Sequence, residues 1–513
     1  MSNRFINASG DSRVDSLLSG AKWGAGSTGS PVTVTYSFPG QSALWEYTAE
    51  ANAGYTGLNS SQQGDFRAAL ESWAEVSQLS FTEVIDGSTY GDIRVAFTQL
   101  ISGSTAGYAY LPGSGSYSGN IISPSAAAGD VWLNPTLTDF SSGTSGYSTL
   151  IHELGHSLGL KHSFEAEGDF PSLAAEFDST QYTVMSYTNY DGAGYVFEDV
   201  GGGYYSYQAV QPETPMLYDI LAMQYMYGVD TSTRTGDDTY TFTAAAQLKT
   251  LWDAGGTDTI DLSNQMISAD LNLEAGSFSD IGQRKVTYSG PLTQAEDNIA
   301  IAFGVTIENA IGSSYDDVIA GNAVNNVLEG GQGNDQLDGK GGVDTAVFNG
   351  SKSAYAISQN NQGAVTVTGL DGLDQLANIE RLSFSDTNVA LDLDGNAGQV
   401  AKTIGAVFGA STVSNTNYMG IGIRYLDSCM SSEDLMTLAL NAAGATTYES
   451  VVDQLYVNLV GIAPSESVKN SYVQRLESGE FTPASLGLMA SELNLNTQNI
   501  NLTGLATNGV EYI

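Results

Sequence analysis

Read in nines from Gly312, the chain gives GSSYDDVIA, GNAVNNVLE, GGQGNDQLD and GKGGVDTAV, a period that restricts the fold of this segment more tightly than any other feature. Asp317, Asn326, Asp335 and Asp344 fall on one phase, and Ile319, Leu328, Leu337 and Ala346 on another. Glycines permit tight turns and expose backbone carbonyls, the acidic phase supplies carboxylates, and the aliphatic phase forms an inner ladder. The segment is expected to coil as a parallel β-roll with calcium between its turns, an ion that takes roughly six to eight oxygen ligands. A glycine-rich linker is the alternative, but a linker keeps no aliphatic residue in register. Only the unit from Gly330 to Asp338 fits GGxGxDxUx completely, so few ions are expected. Gly330, Gly333, Asp335, Asp317 and Asp344 are the candidate calcium ligands of the repeats.

At 513 residues the chain is too long for one ordinary core, and the expected class is multidomain α+β. Residues 1–230 read as a mixed α/β domain. VTVTYSF (32–38) alternates with period two, DIRVAF (92–97) and DVWLNP (130–135) are further strands, and Phe66, Leu70 and Trp73 have helical spacing between Ser60 and Val76. Residues 231–350 carry the repeat texture, and 351–395 read as short strands that extend the roll. From 396 to 513 the pattern is mainly helical, in GQVAKTIGAVF, EDLMTLAL, YESVVDQLYVNLVG, ESVKNSYVQRL and PASLGLMAS, with Thr446 and Glu449 as a capping box for the third. This helical end contains no residue constellation that carries chemistry.

Acidic residues number 57 against 17 basic ones, for a formal charge of −40, although only 14% of residues are charged. Such a chain repels nucleic acid and anionic membrane, and its carboxylates are underpaired unless cations neutralise them. No stretch approaches the eighteen or so apolar residues of a membrane span. The first residues, MSNRFINASGDSRVDSLLSG, lack the basic and apolar regions of a cleaved signal peptide. The single cysteine, Cys429, excludes an internal disulfide, and with no histidine left to activate it a buried small side chain is expected there.

The chain has three histidines, and all of them occur in HELGHSLGLKH, residues 152–162. Leu150, Ile151, Leu154 and Leu158 give the segment one buried helical face, and His152 and His156, four apart, project from the same face as each other about one turn apart, as suits two ligands of a tetrahedral zinc ion. Glu153 lies beside them, within reach of a zinc-bound water as general base. Gly159 lets the backbone turn through a left-handed conformation so that His162 comes back as third ligand. Structural histidines are the alternative, and the placement of every histidine in a ligand slot of one pattern argues against it.

HExxHxxGxxH resembles the metzincin metallopeptidases, and LLSGAKWG, YTVMSY and the downstream repeats resemble the serralysin branch in the same order, over residues 13 to 350. The resemblance implies a metzincin zinc-protease domain followed by a calcium-binding RTX roll. It also implies a methionine turn at Met185 beneath the zinc ligands and an oxyanion-stabilising role for Tyr187. By the same resemblance, carbonyls of Arg234 and Gly236, the turn glycines Gly255 and Gly256, and carboxylates of Asp238, Asp253 and Asp258 hold one calcium ion, and Thr306 and Glu308 a second. Substrate is expected to pair with an edge strand within AGYAYLP (106–112). Ser163 and Phe164 depart from the proline and small residue that many serralysins have after the third histidine. The helical end loosely resembles modules of unknown function on exported bacterial repeat proteins.

The expectation is therefore a secreted monomeric zinc endopeptidase acting on extracellular proteins, with Glu153 and Tyr187 catalytic, and exported by a bacterial type I machinery that reads an uncleaved tail such as GVEYI. A calcium-dependent surface or adhesion protein with a structural zinc site is the competing reading.

Overall fold

The computed structural model describes residues 1–47, 49–359 and 364–513; the strand expectation at 360–363 lies outside them. The chain forms two compact units, Met1–Ile307 and Glu308–Ile513.

In the first unit the alternation in Val32–Ser37 sends Val34 and Tyr36 into the core. That strand pairs in parallel with Leu79–Glu83 on one side and Ile93–Thr98 on the other, and Ile93–Thr98 pairs in parallel with Val131–Leu133. Ile93–Thr98 is buried at every position, as a central strand covered on both faces must be. Gly107–Ala109 closes the edge antiparallel to Val131–Leu133, with Tyr108 opposite Trp132.

Two helices pack together in this unit. Ser60–Ala74 opens with a reciprocal cap between Asn59 and Gln62 and buries Phe66, Leu70 and Trp73. Ser145–Leu158 is capped by the Thr144 hydroxyl and buries Leu150, Ile151, Leu154 and Leu158 completely. It stops at Gly159, whose φ of 115° is left-handed; a Cβ there would lie 2.5 Å from the Ala21 carbonyl oxygen, so no other residue fits. A third helix, Leu217–Tyr227, contributes Leu217, Met223 and Met226 to the same core.

The second unit begins as a coil of three-residue strands. Asn309–Ile311, Val327–Glu329, Thr345–Val347 and Arg381–Ser383 pair in parallel in one sheet, and Val318–Ala320, Gln336–Asp338 and Leu373–Ala377 in another. Successive strands alternate between the sheets, and Ile319, Leu328, Leu337 and Ala346 are buried between them. Helices follow from Asn396–Phe408 to Leu502–Asn508 and share two apolar clusters, one around Val400, Ile404 and Met419, the other around Met436, Leu455 and Leu486.

Two expectations for the helical end are corrected. The helix Tyr448–Val460 starts one residue late for a Thr446 and Glu449 box, and the box is made by Thr447 and Ser450. Cys429 is exposed rather than buried. It follows the helix Thr416–Asp427 in a left-handed conformation, φ 65°, while its N–H reaches the Leu426 carbonyl and that of Met430 the Tyr425 carbonyl. This is a helix-closing turn that leaves the thiol outside the core.

Candidate metal centre

The helix Ser145–Leu158 and its left-handed stop bring one ring nitrogen of each of His152, His156 and His162 within 4.8 Å of the others. Every remaining Nδ1 has an acceptor: the Val184 carbonyl for His152 at 2.6 Å, the Leu160 carbonyl for His156 at 2.8 Å, and Glu165 Oε1 for His162 at 3.1 Å. A carbonyl can only accept, so Nδ1 carries the proton and Nε2 presents a lone pair.

Nε2 of His156 and Nε2 of His162 stand 3.0 Å apart, so two lone pairs face each other. That arrangement is repulsive without a cation between them, and the spacing is close to the ~3.3 Å that two nitrogens on one tetrahedral zinc ion require. Burial holds His152 down to about 4 and His156 well below the ordinary imidazole value, which keeps both neutral as ligands must be. The residues therefore fit zinc.

Met185, fully buried, supports the site from below; a Cβ on Gly155 would come within 2.5 Å of its sulfur. The turn that holds it is fixed by Asp219, which sequence reasoning did not single out. Asp219, 0% exposed, accepts from Thr183 Oγ1 at 2.5 Å, Val184 N at 2.7 Å and Met216 N at 2.8 Å. Asp219→Ala is expected to strand these donors and cost about 3 kcal/mol or more, read as a lower unfolding temperature together with weaker zinc retention.

Glu153 is 5% exposed, and among the described residues its Oε2 has no hydrogen-bond partner. Burial alone pushes its carboxyl up to about 8, and a cation beside it acts in the opposite direction. Gly107 of the edge strand covers it; a Cβ there would lie 3.1 Å from Glu153 Oε1. The Tyr187 hydroxyl, donating to the His162 Nε2 lone pair at 2.8 Å, belongs to a side chain 67% exposed. Phe164 stacks on the His162 ring at 5.0 Å and 9°, and lies 5.0 Å from the Tyr187 ring. The unexpected residue after the third histidine thus walls the site.

A second group draws Asp238, Asp253 and Asp258 together, with one oxygen of each within 4.8 Å of the others. Asp258 Oδ1 accepts from Asp238 N at 2.8 Å, Asp253 Oδ1 accepts from Gly255 N at 2.7 Å, and Gly256 packs so closely on the Gly236 carbonyl that a Cβ would overlap it. Arg234 is left-handed, φ 50°, and its guanidinium is tied to the Trp252 carbonyl and Glu75. Thr306 belongs to the first unit and Glu308 opens the second, where its carbonyl accepts from Asn326 Nδ2.

In the coil of the second unit, Asp317 N donates to Asp335 Oδ1 and Asn326 N to Asp344 Oδ1, each across 18 residues. Asp335 N and Asp344 N donate in turn to Asp374 Oδ1 and Glu380 Oε2, across 39 and 36 residues. Asp374 and Glu380 thus end the two ladders, and no fixed period reaches them. Oδ2 of Asp335 and Oδ2 of Asp344 are buried without a donor, and Gly330 and Gly333 crowd Asp335 so that a Cβ on either would lie within 2.9 Å of it. Burial, reinforced by neighbouring carboxylates, raises both aspartates to about 7. Orphaned carboxylate oxygens of this kind fit a hard cation such as calcium.

The family model described as Matrixin matches residues 46–173, which include all three histidines, and Peptidase M10 serralysin C terminal matches 218–413. Serralysin of Proteus mirabilis is 33% identical over 57% of this chain and 60% of its own length. Serralysin C of Dickeya chrysanthemi is 34% identical over 58% and 60%, and the metalloprotease AprA of Pseudomonas entomophila (strain L48) 33% identical over 60% and 62%. The chain spans about three-fifths of the length of these relatives. Both family models match in order along the chain, and about a third of the residues aligned with serralysins are identical, so over these segments the chain is similar to the serralysin-type metzincins.

Proposed function

We propose that the chain is a zinc-dependent endopeptidase in which His152, His156 and His162 hold the metal, Glu153 is the general base and Tyr187 stabilises the oxyanion. One observation carries the proposal: three Nε2 lone pairs converge, and Glu153, next to His152 on the same helix, has a buried Oε2 without a hydrogen-bond partner among the described residues. Bound zinc would supply Lewis acidity for a scissile carbonyl and lower the pKa of water. Glu153, 5% exposed, takes a proton from the attacking water at Oε2 and returns it to the leaving amine. Because Gly107 covers Glu153, a peptide added antiparallel to Gly107–Ala109 brings its backbone to that carboxylate, with main-chain affinity and weak sequence selectivity. The exposed Tyr187 hydroxyl is free to exchange His162 for a developing oxyanion.

The arrangement within residues 231–350 supports an RTX β-roll, followed by a β extension at 351–395 and a helical module at 396–513 that includes a secretion signal. Asp238, Asp253 and Asp258, with carbonyls of Arg234 and Gly236 and the turn of Gly255 and Gly256, would hold calcium. Calcium would offset the charge of −40 and stabilise the roll outside the cell. Export by a type I machinery, extracellular protein substrates and a monomeric state complete the proposal. Among the described residues no helix is long and apolar enough to cross a membrane.

The test is casein hydrolysis by the full chain in millimolar calcium. Activity should disappear with 1,10-phenanthroline and return with added zinc. Absence of hydrolysis by the zinc-loaded, calcium-loaded protein would favour the adhesion reading instead.

A further inference from the structure

The four repeat units present the same atom to the same place, a side-chain oxygen lying over the glycine five residues earlier. An added Cβ measures 2.9 Å from Asp317 Oδ2 at Gly312, 2.3 Å from Asn326 Oδ1 at Gly321, 2.3 Å from Asp335 Oδ2 at Gly330 and 2.5 Å from Asp344 Oδ2 at Gly339. What meets that oxygen differs. Asp317 Oδ2 accepts from Ser313 N at 2.6 Å and Ser313 Oγ at 2.8 Å. Asn326 Oδ1 accepts from Asn322 N at 2.8 Å, while its amide nitrogen donates to the Glu308 carbonyl at 3.0 Å and to Asn322 Oδ1 at 3.2 Å. This network fixes the amide orientation, because the flipped form would set two donors against each other. The corresponding oxygens of Asp335 and Asp344, residues 0% and 1% exposed, meet no donor.

The cause lies in the residue after each glycine. Gly331, φ 96°, and Lys340, φ 67°, are left-handed, whereas Ser313 and Asn322 are not among the positive-φ residues. In the first two units that residue's N–H is aimed at the side-chain oxygen. In the last two the left-handed turn directs it elsewhere, and Lys340 N donates to Asp338 Oδ1 instead. A non-glycine residue such as Lys340 adopts this conformation only at a cost that the surrounding turn must offset.

Building on the proposed calcium-binding roll, we propose that the repeats divide in two: Asp335 and Asp344 take calcium, whereas Asp317 and Asn326 are closed by their own hydrogen bonds and take none. Asp317, a calcium ligand by its phase, becomes a turn-closing residue. The part of the coil around residues 312–329 folds without a cation, and calcium dependence is concentrated in the turns that end on Asp374 and Glu380.

The test counts bound calcium by equilibrium dialysis on the full chain in a Glu153→Gln background, so that the count does not depend on proteolysis. Asp335→Asn is expected to lose one ion per chain, Asp344→Asn likewise, while Asp317→Asn and Asn326→Ala keep the wild-type number. Loss of an ion from Asp317→Asn or from Asn326→Ala, with the circular dichroism of the calcium-loaded protein unchanged, overturns the division. Where Asp317→Asn does not fold, Asn326→Ala alone decides. An unchanged count in both Asp335→Asn and Asp344→Asn would instead defeat the calcium-binding roll itself.

Discussion

Glu153→Gln is expected to lower peptide hydrolysis by roughly a thousandfold, the usual contribution of a general base, while leaving the fold and zinc retention intact. Glutamine has the shape of the glutamate, sits in the same helix and keeps the contact with Gly107. No hydrogen bond to Oε2 is lost, because none exists. The substitution also removes a titrating group. Burial raises the folded-state value from 4.5 to about 8, so the carboxyl destabilises the metal-free protein progressively as pH rises from 4.5 towards 8. The metal-free variant should therefore melt no lower than wild type at pH 8, and higher if the penalty is fully expressed. Hydrolysis rate, zinc content and unfolding temperature measured on the same preparation separate the two effects. A variant that retains zinc and still hydrolyses peptide at the wild-type rate would sink the assignment.

The convergence of the three histidines was legible because it is specified locally. Two histidines one turn apart, a glycine and a third histidine specify the geometry within eleven residues, and the helix period and the left-handed stop follow from the same segment. The buried faces of Val32–Ser37 and Ser60–Ala74 were legible for the same reason, since period two and period 3.6 are written directly in the sequence. What escaped was set by distant partners. Asp219 lies 35 residues from the Val184 N–H that it fixes, and Asp374 and Glu380 answer Asp335 and Asp344 across 39 and 36 residues. The helix Thr416–Asp427 was missed because Gly420 and Gly422 lower its propensity. Both are needed for close approach, Gly420 to the Ile513 carbonyl and Gly422 to Val400. The hairpin Tyr195–Gly201 with Tyr204–Ala209 was equally unannounced, because none of its aromatic residues is buried and they define no core face.

Without divalent cation, the full chain should be more stable at pH 5 than at pH 8, and millimolar calcium should abolish or reverse that order. The reason is the carboxylate ladder. Burial first, then neighbouring carboxylates, raises Asp335 and Asp344 from 3.8 to about 7 and Asp374 to about 6. A raised acid is favoured by the fold in its protonated form, so the destabilisation is absent below 3.8, grows as pH rises and is complete above about 7. Calcium binds the deprotonated form, so its affinity should rise over the same window and its binding should release protons. A backbone N–H donates to the Oδ1 of each of these three side chains and favours the charged form, which limits each contribution. Together they are expected to separate the metal-free unfolding temperatures at the two pH values by on the order of 5 °C, given that about 1 kcal/mol moves a unit of this size by roughly 2–4 °C. Asp219 and Glu153 titrate in the same direction, while His152 and His156, held neutral by burial, destabilise the fold as pH falls below 6.5 and oppose it, so the attribution needs the Asp335→Asn, Asp344→Asn, Asp374→Asn triple variant. That variant should lose most of the pH difference and most of the calcium response together. If it keeps the pH difference while losing the calcium response, the acid sensitivity belongs to the buried carboxyls of the first unit, and the ladder senses calcium alone.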